Sequence, residues 1–178
     1  MIVLGIDPGT AVTGYGVVSR ADDGAVSLVE CGVIRTTSQA PLPERLRDIY
    51  DGVSELMDRH QPGAVAVEGV FFGKNVRSAV VLGHARGAIL VAASLHQVEV
   101  AEYPPSEVKS AVVGAGRATK DQVGFMVQRL LRLKEAPRPH DAADGVAVAL
   151  THCFRGLGPT GNAMRFRMQL LQNAGGRA

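Results

Sequence analysis

The chain is predicted to fold as one α/β domain, a mixed five-stranded sheet flanked by helices. Three features of its sequence lead there. Strand-like runs follow one another with short connections up to residue 36, which implies an antiparallel meander. From there to residue 103 helical and strand-like periodicities alternate, as parallel crossovers require. Beyond residue 103 only helical patterns remain. A chain of 178 residues can bury one substantial core, and this length argues against a large second domain.

Met1 to Ile6 begins with Ile2, Val3 and Leu4, an apolar run of the kind covered on both faces. It ends at Asp7 and breaks at Pro8-Gly9. Val12 to Arg20 (VTGYGVVSR) is the second strand; Gly14 and Gly16, with Gly9 before them, allow tight turns or the close approach of another element. Ala25 to Thr36 is the third strand. Leu42, Leu46, Ile49, Val53 and Leu56 recur every three or four residues and form the apolar stripe of a helix from Pro43 to His60, stopped by Gln61-Pro62-Gly63. Ala64 to Val70 (AVAVEGV) is a short buried strand carrying Glu68. An Ala- and Gly-rich helix from Asn75 to His96 leads to the fifth strand, Val98 to Tyr103. Ser106 to Val113 is a short helix. After the loop Gly114-Ala115-Gly116, Thr119 and Gln122 form a capping box that opens a helix to Leu133. Pro137 and Pro139 interrupt the chain before a last helix, Asp141 to Phe154. The domain is thus expected over residues 1–156. Residues 157–178 are a basic tail with Arg165, Arg167 and Arg177, and a short helical pattern from Met164 to Gln172.

Hydrophobic residues make up 46% and charged residues 20%, a globular rather than a disordered composition. No apolar run is expected to span a bilayer: the best candidate, Ala79 to Leu95, is broken by His84 and Arg86. With no charged stretch followed by an apolar core at its start, export is not expected. Cys31 and Cys153 lack metal-ligand spacing and read as reduced core thiols, so a cytoplasmic protein is expected. Charge is unevenly spread. Residues 1–70 hold five Lys/Arg against ten Asp/Glu, and residues 71–140 hold ten against five. The basic middle of the chain fits either a solvated face or a surface for nucleic acid.

Two buried strands end in acids, Asp7 and Glu68, and ligand sites of open α/β sheets gather at the carboxyl ends of strands. Asp7 alone would also serve as ordinary turn chemistry before Pro8-Gly9. Asp141 and Asp144 are three apart at a helix start and share a face. Acids there also complement the helix dipole, but their neighbours Ala142, Ala143, Val146, Ala147 and Val148 describe a buried helix. Buried acids need a cation, and no Lys or Arg is close in sequence, although a distant one could pair with them. Two divalent ions about 3.5–4 Å apart would neutralise the four and would cleave phosphodiesters. Oxygen-only ligands suit Mg²⁺ or Mn²⁺.

GIDPGTAVTGYGV at Gly5 to Val17, EGVFFGKN at Glu68 to Asn75, VVGAGRATKDQV at Val112 to Val123 and DAADGVAVALTHC at Asp141 to Cys153 together resemble the RuvC family. These are bacterial Holliday-junction resolvases of the ribonuclease-H-like superfamily, and the similarity runs from Met1 to Phe154. The resemblance implies a ribonuclease-H-like fold and a homodimeric endonuclease that nicks two strands of a four-way DNA junction symmetrically, leaving 5′-phosphate and 3′-hydroxyl ends for recombination and repair. It assigns Asp7, Glu68, Asp141 and Asp144 as catalytic ligands of the ions. Relatives can have an imidazole among the ligands, so His140 competes with Asp141; the i, i+3 relation to Asp144 favours Asp141. Partnership with the RuvA–RuvB branch-migration complex is implied by family alone.

Lys109, Arg117 and Lys120 surround the glycine loop and the start of the Thr119 helix, where free backbone N–H groups and cations make an anion site. A lysine in a first helical turn opposes the dipole, which suits an outside phosphate as partner; a solvated lysine fits as well. The resemblance places phosphate contacts on Lys109 and Lys120, and Lys74 and Arg77 extend the basic surface. Aromatics are 4% of the chain, so Phe71 and Phe72 just after Glu68 stand out. The resemblance implies that Phe71 wedges or stacks at the junction crossover, with core packing the alternative for one of the two. Ala79 to Ala93 is either the dimer interface or core. An actin-like ATPase, whose phosphate loop is also an Asp-x-Gly-Thr, would need a second domain. A DNA-binding relative without metals would have a broken set of acids.

Overall fold

The computed structural model describes residues 1–69 and 76–155. The elements in chain order are β1 (Ile2–Asp7), β2 (Val12–Arg20), β3 (Val26–Arg35), α1 (Leu42–His60), β4 (Ala64–Glu68), α2 (Val76–Leu95), β5 (Glu99–Tyr103), α3 (Pro105–Val113), α4 (Lys120–Leu130) and α5 (His140–Arg155). The strands form one five-stranded sheet in the order β3-β2-β1-β4-β5. The meander β1–β2–β3 is antiparallel, whereas β1–β4 and β4–β5 are parallel. The expected mixed sheet is present, with the two crossovers supplied by α1 and α2.

Strand alternation sorts the core into two layers. Leu4, Ile6, Val17, Val65 and Val67 point to the face covered by α1 and α2, where Ile49, Val53, Leu56, Ala85 and Ile89 meet them. Val3, Val18, Ala66 and Tyr103 point to the other face, covered by α3, α4 and α5. Helix α5 is the centre of that layer, with eleven buried residues that include Ala142, Ala143, Val146, Leu150 and Phe154. It can lie so close to the sheet because the strands beneath it carry glycine. A Cβ at Gly14 would collide with the Asp141 carbonyl, and one at Gly16 would come within 2.5 Å of Val146 Cα.

Local signals place most element ends. Gln61 takes a left-handed φ of 43° and its N–H bonds back to Met57, closing α1 where the Gln-Pro-Gly stop was expected. The Thr119 capping box forms: Thr119 Oγ1 accepts from the Gln122 N–H, and Gln122 Oε1 accepts from the Thr119 N–H at 2.9 Å. Helix α4 ends at Leu130 rather than Leu133, because Arg132 turns left-handed (φ 54°) and the Gln128 amide then donates to the Lys134 carbonyl at 2.9 Å. Strand β4 ends at Glu68; the Gly69 N–H still reaches the Tyr103 carbonyl at 2.8 Å.

Two expectations are corrected. By length and composition α2 is apolar enough to cross a membrane, despite His84 and Arg86. Its packing makes it a layer of this fold instead. Ala85, Ile89, Ala92 and Ala93 are buried against the sheet layer, and the Arg86 guanidinium donates two bonds of 2.7 and 2.6 Å to Glu102 on β5. Cys153 is a buried free thiol, but Cys31 is only half-buried because β3 is an edge strand. The tail 157–178 and its helical pattern lie outside the described residues.

Candidate metal centre and its basic flank

Alternation along β1 and β4 determines where the two strand-end acids point. Asp7 shares its face with Val3 and Gly5, and Glu68 shares its face with Ala66; both therefore project toward α5. The parallel register Ile6↔Val67 brings the two acids to neighbouring positions at the carboxyl edge of the sheet. On the other side of β1, Asp7 pairs with Gly14, the residue on which the Asp141 carbonyl rests. The first turn of α5 is thus delivered directly above Asp7.

The loop after Asp7 is held from several directions. Thr13, fully buried, donates to the Gly9 carbonyl at 2.7 Å and accepts from the Gly9 N–H at 3.3 Å. Thr36 Oγ1 donates to the Thr10 carbonyl at 2.6 Å, and Arg45 Nε bonds both partners at 3.1 Å. Sequence reasoning passed over Thr13, although a threonine four residues beyond a Pro-Gly turn has the side chain to close it.

Asp7, Asp141 and Asp144 each bring a carboxylate oxygen to within 4.8 Å of the others. Glu68 stands outside that group of three but is coupled to Asp7 and Asp144 by charge. Burial, then the Asp144 charge, pushes the Asp7 carboxyl up to about 7. Burial, then the Asp7 charge, pushes Glu68 up to about 8. Three acids facing one point, with Glu68 near enough to feel their charge, repel one another, and a cation relieves that repulsion. The residues present fit a divalent-ion site on this ground: an all-oxygen donor set, close enough to share ions, in which two members hold their charge only reluctantly.

The structure supplies one counter-charge that sequence distance concealed. Lys120 Nζ lies 2.8 Å from Asp144 Oδ2 and 3.5 Å from Asp141 Oδ1. Its hydrogen bond to Asp144 raises the lysine above its usual range. The Lys109 charge offsets part of the rise at Glu68. Arg117 is exposed in the loop between α3 and α4, and Arg77 is exposed in the first turn of α2. His140 is turned away: it is two-thirds exposed and its Nε2 is 3.9 Å from Asp121, so it is not in the carboxylate group. Phe71, Phe72 and Lys74 lie outside the described residues.

A family model described as crossover junction endodeoxyribonuclease RuvC matches residues 3–152. The chain belongs to the RuvC family. A RuvC of Dictyoglomus thermophilum is 46% identical over 155 residues, covering 87% of this chain and 98% of that protein. Among solved structures, a Thermus thermophilus RuvC matches with a TM-score of 0.80 and 45% identity, covering 88% of this chain and 95% of that one. A Thermus thermophilus RuvC in complex with a Holliday junction substrate matches with a TM-score of 0.82 and 44% identity, covering 88% and 94%. The RuvC match spans all of β1 except its first residue, and reaches from there into the last turn of α5, so it takes in all four acids.

Proposed function

We infer that this protein is a crossover junction endodeoxyribonuclease that resolves Holliday junctions by paired symmetric nicks, in recombination and DNA repair. The observation that carries the reading is the convergence of Asp7, Asp141 and Asp144 within 4.8 Å at the sheet edge, with Glu68 beside them, in a RuvC-family chain. Two Mg²⁺ or Mn²⁺ ions bound by these acids would activate a water toward phosphorus and stabilise the leaving oxygen. The P–O3′ bond breaks, leaving a 3′-hydroxyl and a 5′-phosphate. Within the chain, Asp7 and Glu68 are fixed by the strand ladder, while Asp141 and Asp144 are fixed by the glycine-seated helix; the set is therefore preorganised before DNA arrives.

Lys109, Arg117, Lys120 and Arg77, and Lys74 on the sequence alone, are assigned to the phosphate backbone, where cations supply most of the affinity for DNA. Phe71 is assigned to base stacking at the crossover. Two symmetric nicks call for two sites, hence a homodimer. An apolar stripe on α2 that is exposed among the described residues supports this: Val76, Val80, Val91 and Leu95 are all more than half exposed, and no described atom lies against Gly83 or Gly87. A second copy of the chain would bury that stripe. Free cysteines fit the reducing cytoplasm, where the RuvA–RuvB complex is the family's branch-migration partner.

The test is cleavage of a synthetic four-way junction and of a linear duplex of the same sequence, each with Mg²⁺ or Mn²⁺ and with EDTA. Metal-dependent paired nicks confined to the junction are expected. Equal cutting of both DNAs, or cutting in EDTA, overturns the reading.

A further inference from the structure

Lys120 occupies an electrostatically contradictory position. It is the first residue of α4, held there by the Thr119 capping box, where the helix dipole disfavours a cation. Its ammonium nevertheless reaches across to α5 and bridges Asp144 at 2.8 Å and Asp141 at 3.5 Å. Among the described residues, no other Lys or Arg forms an ion pair with the three clustered acids. The side chain is 61% exposed, so its flexible stem can leave without disturbing the core. An ammonium brings one positive charge and three directed donors; divalent ions bring more charge and need the same oxygens. Both are drawn to Asp144 Oδ2, where the positive charge of one repels the other, so they compete for it.

We propose that Lys120 is a removable occupant of the acid cluster: in the free protein it opposes loading of divalent ions, and bound DNA draws it onto a backbone phosphate, so that DNA and metal bind cooperatively through this side chain. The proposal rests on the reading of the acids as a metal site beside DNA. Coupling of this kind is reciprocal, so the factor by which DNA tightens the ion is the factor by which the ion tightens DNA. Lys120 is then a positioning residue, and cutting is held back until a substrate is seated.

The experiment is calorimetric titration of Ca²⁺ into the full-length wild type, Lys120→Met, Lys120→Arg and Asp144→Asn, each with and without a saturating four-way junction. Without DNA, Lys120→Met should bind Ca²⁺ about 1.5- to fivefold more tightly than wild type, the range open to solvent-exposed ion pairs. Lys120→Arg, which keeps the charge, should not gain. Junction DNA should tighten Ca²⁺ binding more in wild type than in Lys120→Met, by that same factor. Thermal melting confirms that each variant is folded, and Lys120→Gln replaces Lys120→Met should the latter fail to fold. Equal or weaker Ca²⁺ binding by the charge-removed variant overturns the proposal while leaving the metal site standing, provided that Asp144→Asn loses affinity. Unchanged Ca²⁺ binding by Asp144→Asn would instead overturn the metal site itself.

Discussion

Replacing Asp7 by asparagine keeps the shape and removes the charge, and its effect on stability has a definite sign. The folded-state carboxyl is raised from 3.8 to about 7, first by burial. Folding therefore holds a proton that the unfolded chain releases, and ionisation of Asp7 costs stability. That cost is absent below about pH 4, grows as pH rises, and is complete above the folded value of about 7. About three units at 1.36 kcal/mol each gives on the order of 4 kcal/mol. The Lys120 charge is already contained in that value; water near the site tempers it further, so the figure is about 2 kcal/mol. For a chain of this size that is about 4–8 °C in Tm. Differential scanning calorimetry in EDTA at pH 8 should show Asp7→Asn melting above wild type, with the gap closing toward pH 4. Added Mg²⁺ should narrow or reverse the gap, since ion binding stabilises the wild type more. In parallel, junction cleavage should be abolished while junction binding stays intact or tightens. A variant that melts at or below wild type throughout this pH range in EDTA, or that still cuts at near wild-type rate, would refute the reasoning.

Gly14→Ala should destabilise by about 1–3 kcal/mol and impair cutting, because its Cβ strikes the Asp141 carbonyl and lifts the first turn of α5; melting and cleavage assays check both. Thr119→Ala removes one half of the capping box and should cost about 1 kcal/mol, read by thermal unfolding. Val80→Glu puts a charge on the exposed stripe of α2 and should shift the protein to monomer in sedimentation velocity while leaving the fold intact by circular dichroism. Phe71→Ala should weaken junction binding by about 1–3 kcal/mol at most yet cut steeply less, and a junction with mismatched bases at its centre should partly restore cutting. A lowered Tm without that rescue would make Phe71 a core residue.

Much of this was legible because local patterns and tertiary demands agree. Val12 to Arg20 reads as a strand from its alternation and is one, residue for residue. The Thr119–Gln122 pair is a two-residue signal with a two-bond outcome. Other features had no local trace. Val3 and Leu4 are both apolar, so a strand covered on both faces could not announce which side receives α5, and hence which way Asp7 points. Lys120 is more than twenty positions from Asp141 and Asp144, and only the packing of α4 on α5 brings its ammonium to them. Leu131 and Leu133 continue the apolar spacing of α4, but the turn at Arg132 is decided by where the chain goes next. Cys31 is apolar in context, yet an edge strand leaves it partly open.

The seating of α5 on the glycine-bearing strands has a consequence for how the protein comes into being. Residues 140–155 are made after the whole sheet, yet they bring two of the four acids and the central ridge of one core layer. While a ribosome is still extending the chain toward residue 139, Asp7 and Glu68 can stand at a sheet edge with neither their partner carboxylates nor the central helix of the layer over Val3, Val18 and Ala66. Such a nascent fragment has an open apolar face for chaperones to recognise and no complete ion pocket. The step that closes the fold is also the step that assembles the acids, so a chain whose α5 has not yet docked lacks both the cover and the assembled site.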